Sequence, residues 1–285
     1  MQKVSAVIIT HNRKHFVMRA INSVLEQTYP DIECIVVDDA SSDGTIELLS
    51  HRDDIKYIYI PKEESRGGNY ARNVGVGACN GTFVAFLDDD DYWLPTKIEK
   101  QVALIKEKNC GVVYCGMRPE FVMLDGSVKF EDWLPSPDGR GDMSVKILNK
   151  IYLITSGMLV NKQLLLEIGG FDDNLKYWQE YELSIRLAQL TDFYPVDECL
   201  YVYRIDKNDA DRLSNKYDGW KDSVKYVHNK HNSLYKKLPL AIRIDTISMY
   251  NREARNRALD AGYKWHALYH KVICAIIKRV RMIIK

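Results

Sequence analysis

Four adjacent carboxylates, Asp88 to Asp91, follow the apolar run Thr82–Leu87. The apolar run is typical of a buried strand, so the acidic residues would lie at the carboxyl end of that strand. Like charges at this spacing repel one another, and a bound cation is the simplest compensation. Hard divalent cations such as Mg²⁺ and Mn²⁺ prefer oxygen ligands and often share them with phosphates. The run therefore predicts a metal site, with a polar turn that caps the next helix as the alternative.

The direction of these carboxylates matters for that prediction. In an extended backbone, Asp88 and Asp90 point to one side of the strand, and Asp89 points to the other. One side would face the metal ion, while the other would accept hydroxyl groups of a ligand. We therefore expect two functions in one short segment.

Apolar runs and helical patterns alternate along the first part of the chain. Val4–Thr10, Ile32–Val37 and Ile55–Ile60 are typical of buried strands, and apolar residues recur at helical spacing between them. Such alternation predicts an α/β fold with a mostly parallel central sheet flanked by helices. From Asp206 onward the pattern is helical and heavily charged, which predicts a helical C-terminal extension.

Polar clusters stand where three of the predicted strands end. They are Thr10–Arg13, Asp38-Asp39 and the acidic run. Because ligands of open α/β sheets bind at the carboxyl ends of the strands, we expect the three clusters to converge. Arg66 and Arg72 lie near the start of a following helix, where cations and helix N–H groups suit an anionic ligand. Together these residues predict a pocket for a nucleoside diphosphate.

In their order along the chain, these motifs resemble the inverting glycosyltransferases of family 2, which have the GT-A fold. The resemblance rests on five blocks, namely Val7–Arg13, Ile35–Thr45, Gly67–Gly75, Phe86–Pro95, and Gly169–Asp172 followed by Gln179–Leu187. It covers about residues 3–205 and implies a GT-A domain over residues 1–205. Residues 1–95 would bind the nucleotide sugar, residues 96–205 would form the acceptor side, and residues 206–285 would be the helical extension.

The resemblance also implies roles for individual residues. Asp90 would bind Mn²⁺ or Mg²⁺, and Glu180 would be the catalytic base. The nucleotide sugar would be bound by Thr10, His11, Arg13, Asp39, Gly67, Arg72, Asp88 and Asp89. Two of these positions depart from the family pattern. His11 stands where an aromatic residue, often Tyr, is usual, and Glu180 stands where Asp is usual.

The carboxylate of Glu180 extends one methylene further than that of Asp, and Glu182 is the next candidate for the base. A sugar hydroxyl is a poor nucleophile, so a carboxylate must take its proton as the new bond forms. Tyr177 and Trp178 lie beside Glu180 and would either stack on an acceptor sugar or fill the core. We expect the first of these.

The resemblance implies a metal-dependent inverting glycosyltransferase that uses a nucleotide sugar, expected to be a UDP-sugar. The acceptor would be a glycan or a lipid-linked precursor in bacterial surface polysaccharide synthesis. One alternative is a sugar-1-phosphate nucleotidylyltransferase, which needs a Gly-rich first loop, whereas Thr10–Arg13 contains no glycine. The other is a non-catalytic nucleotide-sugar or glycan-binding module, which would not need both the acidic run and a carboxylate at position 180.

Composition limits the choice of partners and location. A net charge of +1 over 285 residues gives no indication of a nucleic-acid partner. The six cysteines show neither CxxC nor zinc spacing, so reduced thiols and a cytoplasmic location are expected. No signal-peptide pattern precedes the first strand. Apolar runs of about 18 residues or more are absent from the sequence, so no membrane span is expected.

The last segment, residues 263–285, combines basic and apolar residues and contains no acidic residue. Its apolar residues recur at spacings of three and four, which predicts one continuous stripe along a helix. Such a helix would either lie on an anionic membrane surface or pack on the catalytic domain, and a lipid-linked acceptor would favour the first. The first arrangement would place the protein peripherally on the inner face of the cell membrane.

Overall fold

The computed structural model describes residues 2–206, 208 and 217–283. The chain forms two compact units. The first consists of Met1–Met143, Tyr152–Asn174 and Gln179–Asn208. The second consists of Ser144–Ile151, Leu175–Trp178 and Asp209–Lys285. Two short internal segments, Ser144–Ile151 and Leu175–Trp178, thus group with the C-terminal unit. The division of the chain into functional domains at residues 205 and 206 stays a prediction.

A parallel four-stranded sheet forms the first half of the first unit. Its strands lie in the order β3-β2-β1-β4, with the bounds β1 Val4–Thr10, β2 Ile32–Asp39, β3 Lys56–Ile60 and β4 Phe83–Asp88. All three pairings are parallel. The centre of β1 is buried, as expected for a strand that is covered by helices on both faces.

The sheet continues beyond β4 with strands of both directions. These are β5 Tyr92–Trp93, β6 Val112–Val122, β7 Val128–Phe130, β8 Leu159–Asn161 and β9 Phe193–Asp206. The short strand β8 runs antiparallel to both β4 and β6, and β6 then pairs in parallel with β9. The strands β6 and β7 form a hairpin, since they pair antiparallel, and Gly126 between them has a φ of +81°.

Six α-helices flank this sheet among the described residues of the first unit. They are α1 Lys14–Leu25, α2 Thr45–Leu49, α3 Gly68–Ala78, α4 Lys97–Lys108, α5 Lys162–Glu167 and α6 Gln179–Leu187. The helix α1 buries Val17, Ala20, Ile21 and Val24, whose spacing of three and four residues places them on one face. The α/β architecture and the flanking helices confirm the predicted fold class.

The second unit is helical, as predicted for the C-terminal extension. Its described α-helices are α7 Tyr217–Lys230, α8 Asn232–Lys237, α9 Leu240–Asp260 and α10 Lys264–Ile283. Trp178 is 4% exposed, and its ring lies 5.4 Å from the rings of both Trp220 and Tyr250. Trp178 therefore fills a core, and the expectation that it stacks on an acceptor sugar is wrong, because aromatic neighbours cover its ring.

The helix α10 has two apolar faces. One face packs on α9, where Ala267 is buried and His270 contacts Asn251 Oδ1 through Nδ1 at 2.8 Å. The other face is exposed and carries Trp265, Leu268, Tyr269, Val272 and Ile276. Within the part of the chain that the structure describes, none of the helices has the length and apolar content needed to cross a membrane. The helix thus packs on its own unit and still presents an apolar stripe to solvent.

Lys97 is a charged side chain that lies wholly inside the first unit. It is fully buried, its Nζ lies 4.1 Å from the centre of the Trp93 ring, and it donates to Gln101 Oε1 at 2.8 Å. Burial lowers the pKa of Lys97 to about 8. A charged ammonium at this position destabilises the folded state, because burial removes its hydration. Neither the Trp93 ring nor the Gln101 amide supplies a negative charge in return.

The buried lysine predicts a pH-dependent stability difference. Below pH 8 the ammonium is charged in the folded and unfolded states, so its burial cost is at its full value. Above pH 8 the folded protein releases the proton before the unfolded chain does, and the cost declines. From pH 7 to pH 10, the free energy of unfolding of wild type should therefore rise by about 2 kcal/mol relative to Lys97→Met. Urea unfolding at both pH values measures this difference, and parallel profiles would contradict it.

Candidate active site

The sheet register brings the predicted polar clusters together. Thr10 is paired with Asp38, and Ile9 is paired with both Val37 and Asp88. The strands β1, β2 and β4 therefore end side by side. This confirms the expected convergence of the clusters, which follows from parallel pairing and from strands that end at similar heights.

The acidic run forms a turn and does not continue β4. The backbone N–H of Asp91 donates to Asp88 O at 3.1 Å. The buried carboxylate of Asp91 accepts from Ser156 Oγ at 2.6 Å and from the N–H of Arg204 at 3.0 Å. The predicted alternation of side chains across an extended strand is therefore wrong. The chain turns because Asp91 is bound to segments far away in the sequence.

Two arginines form ion pairs with carboxylates of this turn. Arg13 donates to Asp90 Oδ2 at 2.7 Å and lies 3.5 Å from Asp89 Oδ1. Arg72, which is buried, donates to Asp88 Oδ1 at 2.6 Å. Burial and the adjacent charge of Asp90 raise the pKa of Asp89 to about 7, and burial also raises the pKa of Asp90. Additional positive charge near the turn would therefore stabilise the ionised form of these carboxylates.

The donor atoms of the turn fit a hard divalent cation. The described residues contain no group of three His, Cys, Asp or Glu side chains arranged around one metal position. However, Mg²⁺ commonly takes only one or two carboxylates and fills its other positions with water and phosphate oxygens. Asp90 offers such a carboxylate, because its side chain is 30% exposed and its neighbours are also oxygen donors.

Asp39 has one satisfied oxygen and one free oxygen. Its Oδ2 accepts from the N–H of Gly67 at 3.1 Å, and Gly67 has a φ of +91°, a region that glycine adopts readily. Its Oδ1 is buried and has no hydrogen-bond partner in the described part of the chain. His11 contacts the Asp39 carbonyl through Nδ1 and is exposed. A buried acceptor without a partner is a place where a ligand N–H can bind.

Arg72 connects the end of β4 to the start of α6. In addition to Asp88, its guanidinium donates to Gln179 Oε1 at 3.2 Å. Its Nε is buried and has no partner among the described residues. Glu180 follows Gln179 in the first turn of α6 and is half-buried. Arg72 thereby joins Asp88, a predicted site residue, to Gln179, the residue that precedes Glu180.

Thr10 is buried at the end of β1 and faces Asp89. The predicted residues therefore form three adjoining groups. One group contains Asp39, Gly67 and His11, a second contains Arg72 and Asp88 with Gln179, and a third contains Thr10, Arg13, Asp89 and Asp90.

Sequence reasoning did not assign roles to two asparagines of α3. Asn69 donates to Asp172 O at 2.7 Å, and Asn73 exchanges two hydrogen bonds of 2.8 and 2.9 Å with the Phe171 backbone. A Cβ at Gly170 would lie 2.3 Å from Asn73 Oδ1, so this close approach requires glycine. The spacing of four residues between the asparagines places them on one face of α3, and this was the available signal.

The two glutamates of α6 have different environments. Glu182 is fully buried and accepts from Arg186 Nε at 2.9 Å and from Arg186 Nη2 at 2.7 Å. Arg186 also donates to Ile168 O at 2.6 Å. Glu182 is therefore a structural ion-pair residue. This environment removes it as the second candidate for the base and leaves Glu180 as the candidate on this helix.

The family model described as "Glycosyl transferase family 2" matches residues 5–169. The chain belongs to glycosyl transferase family 2. An uncharacterized glycosyltransferase of Rickettsia prowazekii is 31% identical over 210 residues, which cover 71% of this chain and 64% of that relative. The match to the Rickettsia protein thus leaves about a third of its length uncovered. Glu180 lies outside the residues that the family model matches.

Two further similarities concern a curated relative and a solved structure. WfaP of Escherichia coli, a UDP-Glc:alpha-D-GlcNAc-diphosphoundecaprenol beta-1,3-glucosyltransferase, is 38% identical over 102 residues, covering 36% of this chain and 41% of WfaP. The crystal structure of Staphylococcus aureus TarS 1–349 with UDP-GlcNAc has a TM-score of 0.60 at 17% identity. That likeness covers 98% of this chain and 89% of the TarS chain, and it shows the fold.

The two glutamates of α6 should differ in their effect on stability. Glu182→Gln leaves the half-buried Arg186 guanidinium without its buried counter-charge, so the free energy of unfolding should fall by about 3 kcal/mol. Glu180→Gln is the matched control and should change it by less than about 0.5 kcal/mol. Urea unfolding followed by circular dichroism measures both values. Equal effects of the two substitutions would contradict the separate roles.

Proposed function

We propose that this protein transfers a sugar from a nucleotide sugar, most consistently a UDP-sugar, to a hydroxyl of a glycan or lipid-linked acceptor. The anomeric carbon would be inverted in a metal-dependent reaction of bacterial surface polysaccharide synthesis. The observation that carries the proposal is the guanidinium of Arg72, which is bonded both to Asp88 and to Gln179 beside Glu180. This pair of contacts supports the assignment of donor-side and acceptor-side residues to one site.

The donor base would bind at Asp39. A uracil ring has an N–H that suits the buried Oδ1 of Asp39, which has no partner among the described residues. His11 would stack on the base, since its ring is exposed and its Nδ1 is fixed by the Asp39 carbonyl. WfaP is named for UDP-Glc as its donor, and TarS has been crystallised with UDP-GlcNAc. Both facts support UDP as the nucleotide.

The diphosphate would lie between the acidic turn and α3. Asp90 would hold Mn²⁺ or Mg²⁺, and such an ion when bound supplies positive charge to the diphosphate that leaves. The Nε of Arg72 is a buried donor without a described partner, which suits an oxygen of the donor. Arg13 would be freed from Asp90 to contact the nucleotide, as its side chain is 37% exposed. Asp88 and Asp89 would accept hydroxyl groups of the ligand or support the turn.

Glu180 would remove the proton of the acceptor hydroxyl as that oxygen attacks the anomeric carbon. The attack occurs on the face opposite the diphosphate, so the configuration inverts. Arg72 would assist by fixing Gln179, and thereby the first turn of α6, relative to Asp88.

The acceptor or its carrier would bring the protein to a membrane surface. The exposed apolar stripe of α10 includes Trp265, which is 82% exposed, and Tyr269, which is 61% exposed. Basic residues Lys264, Lys271 and Lys278 lie on the same helix. Aromatic and basic side chains together favour the interface of an anionic bilayer. WfaP is named for a diphosphoundecaprenol-linked acceptor, which is consistent with such a location.

The role of Asp39 predicts a change in nucleotide selectivity. Asp39→Ala removes a charged acceptor for the base, so the affinity for UDP should fall by about 10-fold to 100-fold. The affinity for ADP should change little, because adenine lacks the matching N–H at that position. Calorimetric titration with UDP and ADP measures both. Asp53→Ala, at an exposed acidic residue, is the control, and an unchanged preference for UDP in Asp39→Ala would place the base elsewhere.

The role of Glu180 predicts a separation of binding from transfer. Glu180→Gln keeps the shape of the side chain and removes its basicity, so the transfer rate should fall by about 10² to 10⁴. The affinity for UDP should remain that of wild type. Transfer of labelled sugar to an acceptor extract and calorimetry with UDP measure the two quantities. A variant that retains more than about a tenth of the wild-type rate would show that another group is the base.

A further inference from the structure

The hydroxyl of Ser156 connects the two ends of the acidic turn. Its Oγ accepts a hydrogen bond from the backbone N–H of Asp88 at 3.2 Å and donates one to Asp91 Oδ2 at 2.6 Å. Ser156 is fully buried and belongs to the short helical turn Thr155–Gly157, which is distant from the acidic turn in the sequence. A serine hydroxyl can donate one hydrogen bond and accept others, so both contacts form at once. One side chain therefore holds the first and the last residue of the acidic turn.

Buried side chains of the first unit fix the backbone around Ser156. The carbonyl of Ser156 accepts from Trp93 Nε1 at 2.9 Å, and the carbonyl of Gly157 accepts from Gln101 Nε2 at 2.8 Å. Trp93 is 2% exposed, and Gln101 is fully buried. Because these contacts lie within the protein, they set the position of the hydroxyl before a ligand binds.

The ends of the acidic turn and its middle have different environments. Asp91 is fully buried, and its Oδ1 accepts from the backbone N–H of Arg204 at 3.0 Å. The side chain of Asp90 is 30% exposed and contacts Arg13, whose side chain is 37% exposed. Buried groups thus anchor the ends of the turn, whereas Asp90 presents its carboxylate where a ligand can reach it.

Loss of the hydroxyl would remove a partner from two groups at once, the N–H of Asp88 and the carboxylate of Asp91. A buried polar group that loses its partner is unfavourable, and a charged group more so. The turn would therefore rearrange to give the Asp91 carboxylate access to water. Asp90 directly precedes Asp91, so its carboxylate would lose its fixed position as well.

We infer that Ser156 is a positioning residue that sets the affinity of Asp90 for a divalent cation. The inference rests on the proposed function, in which Asp90 binds Mn²⁺ or Mg²⁺. Ser156 acts through Asp88 and Asp91, since it holds the turn in one shape and thereby orients the carboxylate between them. Groups that orient a metal ligand typically change metal affinity by about 10-fold to 100-fold when they are removed.

Ser23 provides a matched control in the same unit. Its buried hydroxyl also accepts from one backbone N–H, that of Trp93 at 3.1 Å, and donates to one oxygen, the carbonyl of Ala20 at 2.7 Å. Ser156→Ala and Ser23→Ala should therefore both lower the urea midpoint of unfolding, because each removes a buried hydroxyl that makes two hydrogen bonds. Only Ser156→Ala removes contacts of the acidic turn.

Electron paramagnetic resonance of Mn²⁺ in the presence of UDP measures the effect on the full chain. Ser156→Ala should bind Mn²⁺ about tenfold more weakly than wild type, whereas Ser23→Ala should bind it like wild type. The affinity for UDP without metal should stay within about threefold of wild type in both variants, because the proposed contact of the base is with Asp39.

Two results would overturn the inference about Ser156. One is a Mn²⁺ affinity of Ser156→Ala equal to that of wild type. The other is an equal loss of Mn²⁺ affinity in both variants, which would show a general effect of lower stability. Wild type that binds no Mn²⁺ in the presence of UDP is a different failure, since it would remove the metal from the proposed function and the inference with it.

Hydrogen exchange of wild type decides the matter if Ser156→Ala does not fold. A turn that Ser156 holds in place should protect the amide of Asp88 to the same extent with and without Mn²⁺ and UDP. Protection of this amide that arises only when Mn²⁺ and UDP are added would show that the ligands shape the turn, and it would overturn the inference.

Discussion

The neutralisation of the carboxylates at the end of β4 is the interaction on which the site depends. Asp88 and Asp90 are bonded to Arg72 and Arg13 at 2.6 and 2.7 Å. The arginines come from α3 and from the loop after β1, so the charge of one turn fixes three elements relative to one another. Because Arg72 is buried, loss of its partner Asp88 would leave the Arg72 guanidinium unpaired in a region of low dielectric constant. The turn can therefore hold negative charge in a folded protein and remain able to accept a cation or a phosphate-bearing ligand.

Much of this arrangement could be predicted because it depends on local pattern. Apolar runs that end in polar residues identify parallel strands and the positions of their carboxyl ends, and the register of β1 with β2 and β4 follows. Asp39, Arg72 and Asp90 were predicted to lie near one another for this reason. Their specific roles came from the resemblance to family 2, since no spacing rule distinguishes a base-binding carboxylate from a turn residue. Those roles stay predictions.

The remaining features depend on contacts between distant segments. Asp91 turns away from the expected strand direction because it binds Ser156 and the backbone of Arg204, which no local pattern reveals. Trp178 was expected at an acceptor sugar, but its ring packs against Trp220, a residue of a helix that periodicity could not position. The spacing of four residues allows Glu182 to pair with Arg186 on one helix face. That this ion pair matters for stability follows only from the burial of Glu182.

Manganese-dependent nucleotide binding tests the central claim most directly, because that claim makes Asp90 the group that exchanges Arg13 for a cation. Calorimetric titration of UDP with and without Mn²⁺ should show an affinity gain of about tenfold or more for wild type. Asp90→Asn keeps the side-chain shape and should lose this gain while it retains metal-independent binding. Asp53→Asn, a control at an exposed acidic residue, should behave like wild type. The account would be contradicted if Asp90→Asn retained the full gain in affinity from Mn²⁺.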